Sequence, residues 1–246
     1  MATENWAAQV NDAGWGLGVW NADAFLFGGG FSGLPGDGGP LDNPTGYIAP
    51  TRTEILDHNI VYDYHYELIL GTVDEIRAHV YRNASRAAVR SFQFTQDRQG
   101  WYFDDASDAG WPIRGELDVR SEEGKAPHII SPLFFIRAET APKLIIEAAF
   151  ATGRSEATVW WRRSDSQGFV RAQAQDFAVI PDGLFRRYEI NLGAAPEYRG
   201  IITQLRLDVL PAGHQTAHVR LKSVILGTGA LSQETNHVDD QSKAAR

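Results

Sequence analysis

Between Trp101 and Leu226 the chain is a succession of short segments rich in β-branched and aromatic residues, each closed by a turn signal. Ser121-Glu122-Glu123-Gly124, Ala151-Thr152-Gly153-Arg154 and Pro181-Asp182-Gly183 are such signals, because glycine, proline and short polar side chains suit turns and weaken ladders. This punctuation predicts strands near 89–95, 100–104, 115–119, 128–137, 143–150, 157–163, 168–179, 186–191, 201–209 and 216–227. Strands of this length and spacing bury one face each. They predict a mainly β fold, an antiparallel β-sandwich of jelly-roll type. The absence of an internal sequence repeat speaks against a propeller or solenoid.

Residues 1–87 read differently, as a loop-rich layer with one strand and one short helix. Trp15, Trp20, Phe25, Phe27 and Phe31 are interleaved with glycines, so the loops are expected to pack down around large apolar rings. A phosphate loop would need Lys-Ser or Lys-Thr after the glycines at the start of a helix, and neither is present there. Ile60–Leu70 predicts a strand with Tyr62, Tyr64 and Tyr66 on one face and Asp63, His65 and Glu67 on the other. Thr72-Val73-Asp74-Glu75 is a capping-box pattern, and Val73, Ile76 and Val80 continue it as an apolar helical stripe to about Ser85. The expected organisation is therefore the N-terminal layer at 1–87, the β-sandwich domain at 88–228 and a disordered polar tail at 229–246.

A formal net charge of −8 argues against a nucleic-acid partner, since such binding is driven by clustered Lys and Arg. With no cysteine in the chain, disulfides, thiolate metal sites and a cysteine nucleophile are excluded. No apolar run approaches the roughly 20 residues that a membrane helix needs. No basic segment with an apolar core after it marks a signal peptide near the N-terminus. The expectation is a soluble chain, with the compartment left open.

The aromatic-acidic segment around Trp101 and Trp111, the Ile129-Ile130-Ser131-Pro132-Leu133 edge and the Trp160-Trp161 pair form a recognisable set. Arg187-Tyr188-Glu189-Ile190-Asn191-Leu192 and Leu205-Arg206-Leu207-Asp208, ahead of a final strand, complete it. Over residues 100–227 the chain resembles the β-sandwich carbohydrate-binding modules of bacterial polysaccharide-processing proteins. The resemblance implies a carbohydrate partner and no catalytic cofactor. Such modules often carry a structural calcium, but Lys222 stands where an Asp would help hold it. Asp104, Asp105 and Asp108 are an oxygen-rich alternative that lacks EF-hand spacing and reads better as a solvated turn.

Sugar binding uses flat aromatic faces together with planar polar groups that read hydroxyls. Trp15, Trp20, Trp160 and Trp161 are the candidate platforms, with Arg52 and His65 as polar partners. Adjacent strand residues face opposite ways, so one of Trp160 and Trp161 belongs to the core. An enzyme reading, glycoside hydrolase or polysaccharide lyase, needs a carboxylate pair, and Glu54, Asp57, Asp63 and Glu67 are the candidates. Asp63 and Glu67 equally suit the solvated face of a half-buried strand. Arg52-Thr53-Glu54 has the Arg-x-Glu form seen in jelly-roll lyases, but no Gln-x-His or Tyr-x-Lys element accompanies it. His58, His65, His214 and His218 show no zinc spacing on a helix, and Gly30-Phe31-Ser32-Gly33 fails the serine elbow. A third expectation is a structural subunit, such as a homo-oligomer, with the glycine-aromatic segment 14–40 as its interface.

Overall fold

The computed structural model describes residues 4–32, 45–84, 89–121, 125–210 and 217–229. The N-terminal layer opens with β1 (Trp6–Val10) and β2 (Trp15–Trp20), continues through the hairpin β3 (Leu26–Ser32) and β4 (Thr45–Thr51), and ends with β5 (Glu67–Thr72) running into α1 (Val73–Asn83). The order β1-β2-β5 makes a three-stranded sheet, and α1 lies across one face of it. Gly18 of β2 explains the fit. A Cβ on Gly18 would stand 2.6 Å from Ile76 Cγ2, so the helix can approach only because that side chain is missing. The capping box forms as the sequence predicts: Thr72 Oγ1 accepts from the Glu75 N–H at 3.3 Å, and the Thr72 N–H donates to Glu75 Oε2 at 2.8 Å.

The rest of the described chain is a sandwich of two six-stranded antiparallel sheets. Its strands are β6 (Arg90–Gln93), β7 (Tyr102–Asp104), β8 (Ala106–Asp108), β9 (Leu117–Ser121), β10 (His128–Ile130), β11 (Ile136–Arg137), β12 (Lys143–Ala151), β13 (Glu156–Arg163), β14 (Ala174–Ala178), β15 (Arg186–Asn191), β16 (Ile201–Asp208) and β17 (His218–Gly227). One sheet has the order β14-β13-β16-β10-β7 with β11 also on β16. The other has the order β15-β12-β17-β9-β8 with β6 also on β17. From β12 onward the chain passes repeatedly between the two sheets, the long-range pairing of a jelly roll.

Period-two patterning fills the space between the sheets. Val159 and Trp161 of β13 and Leu205 and Leu207 of β16 are buried from one side, and Leu144, Ile146, Val219 and Leu221 from the other. Burial of each such side chain contributes about 1.5–3 kcal/mol. Trp101 is enclosed edge-on by Phe92 and Phe94, with ring centroids 5.3 and 5.8 Å away. Trp161 donates from Nε1 to the Glu197 carbonyl at 3.1 Å, and Tyr198 donates from Oη to the Ala141 carbonyl at 2.7 Å, so both polar tips are satisfied inside the core.

The expected strands at 89–95 and 100–104 shorten to β6 and β7, and three others change more. The 128–137 segment splits into β10 and β11, since Pro132 has no N–H to give the ladder. The 168–179 segment starts as a loop with a single 3-10 turn at Arg171–Gln173 and becomes strand only in β14. Ile60–Leu70 is strand only from Glu67, because its neighbour β2 ends at Trp20, the residue opposite Glu67. There Asn21 turns the chain, accepting from the Asp23 N–H and donating to the His65 carbonyl, so residues 60–66 have no ladder partner. The boundary expected at 87/88, the tail beyond 229 and the part of the 14–40 segment after Ser32 lie outside the described residues.

Candidate functional site

The chain from Thr51 to Asp63 crosses from the N-terminal layer onto the sandwich, and a buried ion cluster fixes it there. Arg98, with 1% of its side chain exposed, donates from Nε and Nη2 to the two Asp108 oxygens at 2.7 and 2.9 Å. Its Nη1 lies 2.8 Å from Asp57 Oδ2, which also accepts the Trp111 N–H at 3.1 Å. Asn59 adds a hydrogen bond to the Trp111 carbonyl. A buried guanidinium shared by two carboxylates holds its charge despite desolvation, because the hydrogen bonds to Asp108 and Asp57 outweigh the burial. Asp57 is therefore a fastening.

Arg52 stands where three contiguous depressions meet along this seam. The first, about 280 Å³, is walled by Asp23, Arg90, Asp97 and Gln99 over Pro132 and Leu133. The second, about 130 Å³, reaches Phe25, Tyr102 and Gln204. The third, about 190 Å³, is bounded by Glu54, Tyr62, Asp63 and Trp111. Gly100 makes this possible. A Cβ there would lie 2.7 Å from Arg52 Nη2 and 2.9 Å from Nε, and its φ of +76° favours glycine as well. The guanidinium thus packs closely against the Gly100 backbone. Its Nε is buried without a hydrogen-bond partner, and Glu54 Oε2 is 3.7 Å from Nη2.

Burial pushes the Glu54 carboxyl above its ordinary value, against the opposing pull of Arg52. Glu54 and the exposed Asp63 share the third depression, so two of the four carboxylate candidates come together. The other two do not join them: Asp57 is bound to Arg98, and Glu67 meets His79 Nε2 at 2.7 Å beneath α1. His65 is exposed, and its carbonyl receives Asn21.

The tryptophans are dispersed. Trp15, half exposed, lies with Leu17, Leu68 and Leu70 on the face of the small sheet turned away from α1. Trp20 is buried edge-on to His79. Trp161 points into the core and Trp160 to the outer face, where Arg206 stacks 4.2 Å from its ring centroid and Arg171 lies at 5.7 Å. Asp104, Asp105 and Asp108 diverge, with Asp108 on Arg98 and Asp105 on Lys125. Among the described residues no three metal-ligating side chains converge, and His214 lies outside them.

Sequence reasoning passed over Asp23, Arg90, Asp97 and Gln99, whose positions depend on tertiary folding. Trp111 had a local signal, a ring between Gly110 and Pro112, where a turn holds it half exposed. From it Tyr62, Tyr64 and Tyr66 lead away as a ladder, with ring centroids 6.3 and 5.9 Å apart.

No protein-family model matches the chain, and no curated protein matches it. Among solved structures it is similar to a low-affinity xylan-binding module, CBM86, from the gut symbiont Roseburia intestinalis, at 13% identity and a TM-score of 0.39 over 56% of this chain and 93% of that one. It is also similar to a family 29 carbohydrate-binding module, at 10% identity and a TM-score of 0.38 over 63% and 99% of the two chains. A CBM4 structure matches at 10% identity and a TM-score of 0.36 over 56% and 95%. These likenesses are remote both in sequence and in the superposition of the chains.

Proposed function

We propose that the chain binds a carbohydrate in the seam groove around Arg52. One observation carries the reading: an under-bonded guanidinium, packed on backbone, stands where adjoining depressions bring planar polar side chains on one side and half-exposed aromatic rings on the other. Sugars present an apolar ring face and a rim of hydroxyls, and both halves of that chemistry are available. Trp111 and Tyr62 offer ring faces at one end, and Asp23, Asp97, Gln99 and Arg90 offer donors and acceptors at the other. The Arg98 cluster keeps the groove preformed, which lowers the ordering cost of binding.

A glycan array, with calorimetry on each responding polysaccharide, tests this. Trp111→Ala and Arg52→Ala should each weaken binding about tenfold or more, equivalent to about 1.4 kcal/mol. Full retention of affinity in both variants would place the ligand elsewhere, with the Trp160 face next to be probed.

A second reading has its own support. Glu54, whose carboxyl is held above its ordinary value by burial, shares a depression with the exposed Asp63, the pairing of a proton donor with a base or nucleophile. Incubation of bound polysaccharides, with assays for reducing ends and for unsaturated products, separates the two readings. Binding without product supports the module. Product that disappears in Glu54→Gln supports the enzyme.

A further inference from the structure

Arg52 and Arg90 differ from several other arginines of the protein in what they touch. Arg98, Arg163, Arg186 and Arg206 each have a carboxylate oxygen within 2.8 Å. Arg90 has neither an ion pair nor a side-chain hydrogen bond among the described residues. Its contact is the Phe25 ring, 5.6 Å from the guanidinium carbon. Arg52 has a carboxylate no nearer than 3.7 Å and an orphaned buried Nε. Both line the 280 Å³ depression, where burial lowers the pKa of Arg90, the Asp23 carboxylate opposes that shift, and Arg52 adds to it more weakly.

Two neighbouring guanidiniums, partly desolvated and without a direct hydrogen bond to a carboxylate, form an incomplete hydrogen-bonding arrangement. The group that completes it is planar, anionic and able to accept two parallel N–H bonds. Asp23 and Asp97 in the same wall do not supply this group, as neither comes within ion-pair distance of Arg52 or Arg90 among the described residues. Asp97 Oδ1 is already accepting from the Gln99 N–H at 2.7 Å. Carboxylates so placed remain acceptors for hydroxyl groups. A ligand that brings one carboxylate and several hydroxyls on a compact ring matches the depression as a whole.

We infer that the groove selects an acidic saccharide, a uronate-bearing polymer whose carboxylate seats between Arg52 and Arg90 while Asp23 and Asp97 accept from its hydroxyls. This inference deepens the carbohydrate-binding reading and rests on it.

The experiment compares polygalacturonate, alginate and a glucuronate-bearing xylan, each with its carboxyl-reduced form, by calorimetry on the full chain. Carboxyl reduction removes the charge and keeps the backbone, so no variant is needed for the first result. At least one acidic polymer should bind about tenfold or more tightly than its reduced form, with an advantage that shrinks as salt is raised. Arg90→Gln and Arg52→Gln should each weaken binding of the acidic polymer more than that of its reduced form, so that the ratio of the two affinities falls to about one. Arg90→Lys, which keeps the charge and loses the fork, should keep part of the advantage, and guards against reading a misfolded Arg90→Gln as a result. Equal binding of acidic and reduced forms overturns the acidic preference and leaves the carbohydrate reading standing. A preference that survives both Gln variants overturns the assignment to this arginine pair. Binding of neither these polymers nor any neutral glycan overturns both readings.

Discussion

Arg98 and Arg52 lie on the same seam, and the difference in their pairing divides the work of the groove. Arg98 is hydrogen-bonded to Asp108 and ion-paired with Asp57, so its loss would leave the buried Asp108 and the partly buried Asp57 without compensation. Arg98→Met is expected to cost about 3–5 kcal/mol, measured by urea unfolding; a cost under about 1 kcal/mol would show that the cluster is not what holds the layers together. Glu54 gives a pH test. Its folded-state carboxyl titrates above the unfolded value, so the stability it contributes is complete below the unfolded pKa and is lost as pH rises through the folded one. Glu54→Gln should therefore raise Tm near neutral pH, and the gain should vanish below about pH 4. Arg52 and Glu54 were legible as an Arg-x-Glu pair within one short segment. Arg90 and Asp97 were not, since nothing local separates an arginine at a strand start or an aspartate in a turn from an ordinary surface charge.

Elements were legible where a local pattern also decides the long-range partner. The capping box at Thr72 predicted the start of α1 because both reciprocal bonds are made within four residues. Thr72→Ala should cost the helix about 1 kcal/mol, read as faster amide exchange through 73–83 with the sandwich amides unchanged. The bond from Thr72 also lowers the Glu75 carboxyl, so the support it gives is present above the unfolded carboxylate pKa and is lost as pH falls through the folded value. Most sandwich strands were equally legible, because burial of one face imposes alternation on the sequence itself. Residues 60–66 show where that logic stops. Their tyrosines alternate as a strand's would, yet a ladder needs a neighbour, and β2 has already turned away at Asn21. The Trp160-Trp161 pair shows another limit, since alternation says that one ring faces in but not which one. The register of β13 against β16 puts Trp161 opposite Leu205 in the core and Trp160 opposite Arg206 outside it.

At the scale of the molecule, the groove belongs to neither layer alone. Arg52, Glu54 and Tyr62 come from the segment that leaves the N-terminal hairpin, and Arg90, Asp97 and Trp111 come from the sandwich, with Phe25 packed on Phe135 at 5.1 Å beside them. A ligand held by both sets of residues must stabilise their association. At a hundred times its Kd it adds about 2.7 kcal/mol to the native state. The distribution of that gain is the informative part. Hydrogen exchange should slow together in 51–63 and in 97–111, two stretches that share little apart from the groove and the Arg98 cluster. Protection confined to β13 and β16 around Trp160 would instead mean a ligand on the open sheet face, with the N-terminal layer a bystander. Concerted protection of both stretches, lost on Arg52→Ala, would make the layer part of the binding site. That outcome also gives Gly18 of β2 a functional consequence: it lets α1 close on the small sheet, and the small sheet in turn sets where the Arg52 segment begins its crossing.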